Sequence, residues 1–162
     1  MKIILIIFSF LFVNFTTYAD GHTGKIHLEG FGAWSLNIMN AGNGNLSVTY
    51  DGLYSGVAMN GTKFGNNSSV QCLGGLTASK GKFNDESGIC KFLFANGDIA
   101  YTKYRGSGKI GKSGSATFEF IGGTGKYKSI TGSGTVTRVQ IQAAKKGFTQ
   151  SKNVFKGSYK LN

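Results

Sequence analysis

The feature that most constrains the fold is a run of alternating residues broken by short glycine clusters, residues 114–138, GSATFEFIGGTGKYKSITGSGTVTR. Ala116, Phe118 and Phe120 lie two positions apart with polar residues between them, which is the period of a strand that buries one face. Glycine adopts the backbone angles of tight turns at little cost. The run therefore predicts three strands joined by glycine turns, at 115–121, 127–131 and 135–141.

Two dipeptides upstream indicate further hairpins. Asp-Gly at 51–52 and Asn-Gly at 60–61 are pairs typical of two-residue type I′ turns. The first turn would place Tyr50 opposite Leu53. Together the two dipeptides predict three short strands, at 46–50, 53–59 and 62–64.

A third Asn-Gly pair lies at 96–97, between the apolar segments 90–95 and 98–105. A two-residue turn at this position places five side chains on one face: Cys90, Phe92, Phe94, Ile99 and Tyr101. Residues 79–87 are charged and rich in turn formers, and they predict a connection. Alternation elsewhere predicts separate strands at 25–29 and 34–38 and a last strand at 154–161.

These patterns favour an all-β protein. No segment of helical length has a helical period, and eight to ten short strands at hairpin spacing are typical of a barrel or a sandwich. The 26 glycines and the absence of proline suit a tightly turned sheet protein. The recurring glycine-punctuated hairpins suggest one closed antiparallel β-barrel, similar in outline to a lipocalin, and a sandwich is the alternative that these patterns leave open.

The N-terminus has the pattern of an export signal. Lys2 precedes an apolar run, and small residues stand at Thr17 and Ala19, as signal peptidase requires. A membrane anchor is the alternative, but this apolar run is shorter than the roughly 20 residues that a spanning helix needs. We expect a signal peptide at 1–19, a barrel domain at 20–162, and a secreted or periplasmic protein.

The chain has two cysteines, Cys72 and Cys90. In an exported protein such a pair predicts one disulfide, and two free buried thiols are the alternative. The two histidines, His22 and His27, lie apart from any cluster of cysteines or carboxylates. We therefore predict no metal site and no cofactor.

Residues 106–113, GSGKIGKS, match the phosphate-binding P-loop pattern. That loop works only between a strand and a helix, because the helix N-terminus binds the phosphates. Here an alternating segment follows instead of a helix. We interpret the match as a coincidence in a glycine-rich chain.

The formal net charge is +11, mostly from lysine. Such a charge favours contact with anionic partners, such as lipid headgroups or acidic polysaccharide, although scattered lysines equally serve solubility. Nucleic acid is not expected as a partner of an exported protein.

One carboxylate stands out, since Glu119 lies in a strand between Phe118 and Phe120. If its face lined the barrel, a buried carboxylate could act as an acid or a base. The alternative is a solvent-facing residue on an alternating strand.

Residues 120–127, FIGGTGKY, followed by ITGSG at 130–134, resemble the strand–turn–strand signature of the allene oxide cyclase barrel and of dirigent-like proteins, and more closely a small exported bacterial branch of that class. The resemblance implies an eight-stranded antiparallel barrel with an apolar interior. The plant enzymes of this class cyclise a fatty-acid epoxide or guide the coupling of phenoxy radicals. Their catalytic residues have no counterparts that we can place on this chain.

We expect the barrel to bind a small apolar ligand without catalysis. The alternatives are an isomerase or cyclase that uses Glu119 or Asp98, and an envelope protein that binds anionic glycan or lipid. No catalytic residue is predicted. The candidate ligand-binding residues are Glu119, Phe92, Phe94, Tyr101, Phe118 and Phe120.

Overall fold

The computed structural model describes residues 21–162, which form one closed antiparallel barrel of eight strands in chain order. This confirms the predicted all-β barrel, while the expected signal peptide at 1–19 lies outside the described residues. The strands are β1 (His22–Gly42), β2 (Asn45–Ala58), β3 (Ser68–Ser79), β4 (Lys82–Leu93), β5 (Ile99–Lys109), β6 (Gly114–Gly123), β7 (Thr131–Ile141) and β8 (Phe148–Leu161). A 3-10 turn, Gly125–Tyr127, precedes β7.

The two ends of the barrel differ in their connections. At one end, here called the closed end, lie the long connections 59–67, 94–98 and 124–130. At the other, the open end, lie the turns 43–44, 80–81 and 110–113 and the loop 142–147. Within the described residues, no helix is long and apolar enough to cross a membrane.

Side chains alternate between a buried interior and an exposed exterior along each strand. Phe92, Phe118 and Phe155 fill the middle of the barrel, with Phe155 between the other two rings at centroid distances of 6.0 and 5.7 Å. Cys72 on β3 and Cys90 on β4 are directly opposite each other and form a disulfide across the two strands, with a Cα–Cα distance of 4.0 Å. The predicted disulfide is therefore confirmed, and it indicates an oxidising, extracellular type of compartment.

Two predicted interruptions of the sheet are absent because their glycines serve packing. Asp51-Gly52 lies inside β2, where a Cβ at Gly52 would overlap the Trp34 ring. Likewise, the predicted strands 25–29 and 34–38 are parts of the single strand β1, whose Gly30 and Gly32 leave room for Tyr54. These glycines make room for aromatic rings, so the predicted turn at 51–52 and the predicted division of 25–38 into two strands were both wrong. Asn60-Gly61 does form a turn, with φ of 53° and 73°, but it begins a long connection rather than a hairpin.

Three other predictions need correction. Residues 79–87 belong mostly to β4 rather than to a connection, and residues 127–131 contain the end of a 3-10 turn rather than a strand. The hairpin at 96–97 has a loop of residues 94–98, so Leu93 is opposite Ile99. A one-residue difference in register moves a side chain to the opposite face of a sheet. Tyr101 therefore does not share the face of Cys90 and Phe92.

Candidate ligand-binding site

Four polar side chains meet inside the barrel near the open end, and we call them the polar cluster: Tyr50, Glu86, Tyr104 and Arg138. Arg138 Nη1 and Nη2 donate to Glu86 Oε1 and Oε2 at 2.8 and 2.7 Å, which is the paired geometry that suits a guanidinium and a carboxylate. The Tyr50 hydroxyl donates to Glu86 Oε1 at 2.9 Å. The Tyr104 hydroxyl donates to the Tyr50 hydroxyl at 2.8 Å.

The sequence makes room for this cluster with glycines on the same strands. Gly106 on β5 is the register partner of Glu86, and a Cβ there would overlap the carboxylate. Gly88 on β4 is the register partner of Tyr104, and a Cβ at Gly88 would overlap the Tyr104 hydroxyl. The polar cluster is therefore specified by four functional side chains together with the small residues opposite them.

The electrostatics of the cluster follow from burial and mutual contact. Glu86 is 1% exposed, so its charge depends on Arg138 and Tyr50 for compensation. Burial disfavours the charged form of Arg138, but the hydrogen bonds and charge of Glu86 outweigh it and raise the Arg138 pKa. Burial, together with the charges of Tyr104 and Glu86, raises the Tyr50 pKa well above its ordinary value. Burial raises the Tyr104 pKa to about 12, against an opposing effect of its hydrogen bond to Tyr50.

This arrangement restricts the chemistry of the cluster. The Glu86 carboxylate accepts three hydrogen bonds from charged or polar donors, and both phenols stay neutral at physiological pH. The oxygens of this buried carboxylate are therefore engaged with protein donors and are not presented to a ligand. Arg138 uses two N–H groups on Glu86 and has others left, since a guanidinium carries five.

A second buried network lies beside the cluster. Trp34 Nε1 donates to Ser151 Oγ at 2.9 Å, and Asn153 Nδ2 donates to the same oxygen at 3.1 Å. The Trp34 ring lies edge-on to Tyr50, with 5.6 Å between ring centroids. Within the described residues, every buried side-chain nitrogen and oxygen has a partner.

A cavity of about 240 Å³ opens at this end of the barrel, and we call it the mouth. Trp34, Tyr50 and Arg138 line both the mouth and a deeper space of about 40 Å³, which has room only for a few water molecules. The interior below the polar cluster is thus packed, and the mouth is the part with room for an organic ligand. Its walls are mostly apolar, formed by Leu36, Ile38, Val48, Leu76, Phe83 and Ile110. Lys109, Lys112, Gln140 and Thr149 also line it.

The structure separates the six side chains that the sequence suggested for ligand binding. Phe92, Phe94 and Phe120 belong to an aromatic cluster at the closed end, and Phe118 lines the deeper space. None of the six lines the mouth.

The remaining two of the six, Tyr101 and Glu119, lie on the outer face. Glu119 is 56% exposed and forms an ion pair with Lys103 at 2.8 Å. The possibility that Glu119 lines the interior is therefore wrong, because Phe118 and Phe120 take the interior positions of β6. A cyclase that depends on Glu119 inside the barrel is excluded for the same reason.

Sequence reasoning missed the buried carboxylate because it placed Glu86 in a connection. The alternation of Phe92 and Cys90 continues backwards through Gly88 to Glu86, and extending it by two steps would have found the residue. Arg138 follows Val136 on the inner face of β7. That signal was ambiguous, because the outer face of β7 also carries apolar residues.

Among residues 21–162, no group of three or more histidine, cysteine, aspartate or glutamate side chains is placed to hold a metal ion. The segment 106–113, which matches the P-loop pattern, forms the end of β5 and the turn into β6. A strand therefore follows the position where phosphate binding would need a helix.

Comparison with known proteins supports the architecture. No family model and no curated protein matches the sequence. Among solved structures, the barrel is similar to that of the pterocarpan synthase dirigent protein GePTS1, with a TM-score of 0.50 and 11% identity over 95% of this chain and 97% of that one. At this identity the likeness shows the fold alone, and at that level the resemblance to dirigent-like barrels is confirmed.

Proposed function

We propose that this protein is an exported barrel that binds a small, largely apolar molecule in the mouth, without chemical conversion. The observation that carries the proposal is the mouth itself, a cavity of about 240 Å³ with mostly apolar walls. Tyr50 and Arg138 of the polar cluster line its base, which we call the polar floor. Ligand pockets in proteins typically combine apolar walls with a few placed polar groups, at roughly 300 Å³ and above. The mouth is close to that lower bound and suits a ligand of one or two rings.

The floor supplies one point of polar recognition. The Arg138 side chain is 22% exposed, and its N–H groups not used by Glu86 can donate to an oxygen of the ligand. Glu86 holds the guanidinium in place through two hydrogen bonds. An apolar molecule with one acceptor oxygen fits this combination best.

Binding without conversion is favoured over an isomerase or cyclase. The Glu86 carboxylate is fully paired and the phenols of Tyr50 and Tyr104 are neutral, so the floor has no free base to start a proton transfer. Export is favoured by the signal-like segment 1–19 and by the disulfide.

The test uses the only tryptophan of the chain, Trp34, which lines the mouth. The neutral probe prodan, which has two fused rings and one ketone oxygen, should bind with a blue shift and accept excitation energy from Trp34. Ile38→Arg, which places a charge on the mouth wall, should weaken probe binding at least tenfold.

Met39→Arg is the matched control. Met39 is the neighbour of Ile38 on β1, points to the other face and is 65% exposed, against 57% for Ile38. It should leave probe affinity within twofold of the unmodified protein. Absence of probe binding, or equal weakening by both variants, would refute the proposal.

A further inference from the structure

The outer face of β6 and β7 carries a block of hydroxyl side chains. Thr117 on β6 is opposite Thr135 on β7, and Ser115 is opposite Thr137. Ser133 continues the row on β7. All five side chains lie on strand positions that alternate with the buried ones, so they form a regular outward-facing surface, the hydroxyl block.

Cationic side chains flank the hydroxyl block on both sides. On β5, Arg105 is opposite Thr117 and Lys103 is opposite Glu119. On β8, Lys156 is opposite Thr135 and Lys160 is opposite Thr131. Strands are spaced by about 4.8 Å, so the two cationic rows are roughly 14 Å apart across the block.

These cations are largely uncompensated. Within residues 21–162 the ion pairs are Lys103–Glu119, Arg138–Glu86 and Lys152–Glu29. Neither Arg105 nor Lys156 nor Lys160 pairs with a carboxylate there, and Lys25 of β1, next to β8, does not either. The carboxylates of this face, Glu119 and Glu29, are already neutralised by Lys103 and Lys152.

The outer face of these strands is not flat. A depression of about 350 Å³ lies between β4 and β7. Its lining includes Lys103, Arg105, Thr117 and Ser133, together with Glu119, which pairs with Lys103. It is therefore a shallow polar groove in which a chain can lie against both charged and hydroxyl side chains.

We propose that this face, β5 to β8 with the adjoining part of β1, binds an acidic polysaccharide. Carboxylate or sulfate groups of the sugar chain contact Arg105, Lys156 and Lys160, and its hydroxyls and ring oxygens exchange hydrogen bonds with the hydroxyl block. This surface is on the outside of the barrel wall and is separate from the mouth.

The uncompensated cations fit an acidic polysaccharide and an anionic lipid surface equally, and the hydroxyl block favours the polysaccharide. Binding to a bilayer also requires apolar side chains that insert between the lipids, and the hydroxyl block has none. The proposed face does carry Ile121, Val139 and Ile141, 48%, 46% and 39% exposed, beyond the two ends of the block. More exposed apolar side chains of the barrel wall lie on β1 to β4, among them Phe31, Leu53, Leu73 and Ile89. Single-stranded nucleic acid needs aromatic stacking platforms, which the block also lacks.

The experiment measures binding of the full chain to polygalacturonate, with neutral dextran for comparison. Polygalacturonate should bind at low salt and lose affinity steeply as salt rises, because salt screens exposed charges. Dextran should not bind. The double variant Arg105→Gln with Lys156→Gln should lower affinity at least tenfold.

A second double variant separates a specific face from net charge. Lys63→Gln with Lys146→Gln removes the same two charges from exposed positions outside the face, and it should change affinity less than twofold. Trp34 emission checks that each variant is folded. Ile38→Arg should bind polygalacturonate normally, which keeps this test independent of the mouth.

Three results would overturn the proposal. One is absence of polygalacturonate binding at low salt, and another is an equal loss in the two double variants, which would indicate net charge alone. The third is binding only to vesicles that contain phosphatidylglycerol, which would indicate a lipid surface.

Discussion

The two ends of this barrel are filled in opposite ways. At the closed end, the connection 59–67 inserts Phe64 among aromatic rings, with centroid distances of 5.3 Å to both Phe120 and Tyr159. At the open end, a hydrogen-bonded ion pair and two phenols occupy the interior below the mouth. The comparison shows that one barrel can seal one end by apolar packing and keep the other accessible with a rigid polar floor.

The physical difference between the two ends lies in the free energy that their interior side chains gain or lose on leaving water. Aromatic rings gain free energy when they leave water, so the closed end is most stable when a connection covers it. Burying an ion pair costs the free energy of its hydration, and this cost is offset only when the two groups are well paired and hydrogen-bonded. The open end can therefore stay accessible while its charged groups keep their partners.

The largest effect is expected from removing the aromatic seal. Phe64→Ala should lower the free energy of unfolding by about 3–5 kcal/mol, since it leaves a cavity in a packed cluster. Urea denaturation followed by Trp34 emission measures the loss. Phe31→Ala is the matched control, because Phe31 is 63% exposed on the outer face, and it should cost less than about 0.5 kcal/mol. Similar losses in the two variants would contradict the assignment of Phe64 as the seal.

The second largest loss of stability is expected when the Glu86–Arg138 ion pair of the polar floor is broken. Glu86→Ala leaves the Arg138 charge without a partner and should cost about 3 kcal/mol, at the low end for a buried pair because Arg138 still reaches water. The double variant Glu86→Leu with Arg138→Met should recover much of that loss in urea denaturation. If the double variant is less stable than Glu86→Ala, the ion pair itself contributes to stability and the comparison of the two ends needs revision.

Removal of the disulfide should affect both ends equally. Cys72→Ala with Cys90→Ala should lower the free energy of unfolding by about 2–3 kcal/mol, because the bridge closes a loop with a sequence separation of 18. Probe binding in the mouth should be retained after correction for the unfolded fraction. A selective loss of probe binding would show that the disulfide supports the open end more than the closed end.

A single hydroxyl at the open end should have a smaller effect. Tyr104→Phe removes the donor to Tyr50 and should cost about 1 kcal/mol. Tyr127→Phe at the closed end is the matched variant, with the phenol of Tyr127 against Phe94 at a ring distance of 4.2 Å. The ring contact remains in Tyr127→Phe, so urea denaturation should show a smaller loss of unfolding free energy for this variant than for Tyr104→Phe.

The smallest expected effect is a loss of stability at alkaline pH, to which one buried tyrosine at each end contributes. Burial raises the pKa of Tyr104 and of Tyr127 to about 12, whereas an unfolded tyrosine titrates near 10. The unfolded chain then binds fewer protons than the folded one above pH 10, so stability falls as pH rises from about 10 to 12. The decrease in unfolding free energy between pH 8 and pH 11 should be smaller in Tyr104→Phe and in Tyr127→Phe than in the unmodified protein. A decrease unchanged by either variant would contradict the assigned pKa shifts.

Some features of the site were within reach of the sequence and others were not. The alternation of Phe118 and Phe120 predicted a strand, but both faces of β6 carry plausible interior residues, and only barrel closure decided that Glu119 faces water. Two glycines led to wrong predictions. Gly52 was predicted to form a turn and the first strand was predicted to end before Gly30, yet both glycines face aromatic rings inside continuous strands. A single sequence does not distinguish a glycine that bends the chain from one that makes room for a side chain on another strand.

The sequence by itself determined the all-β class, because alternation and hairpin spacing are local properties of a chain. It predicted the pairing of Cys72 with Cys90 because the chain has two cysteines, and the resemblance to a known family favoured a barrel over a sandwich. The tertiary structure decided the register of β4 against β5, the division into a closed and an open end, and the meeting of Glu86 with Arg138. These contacts join residues 52 positions apart across the barrel. They depend on how eight strands close, and no local pattern of residues encodes that closure.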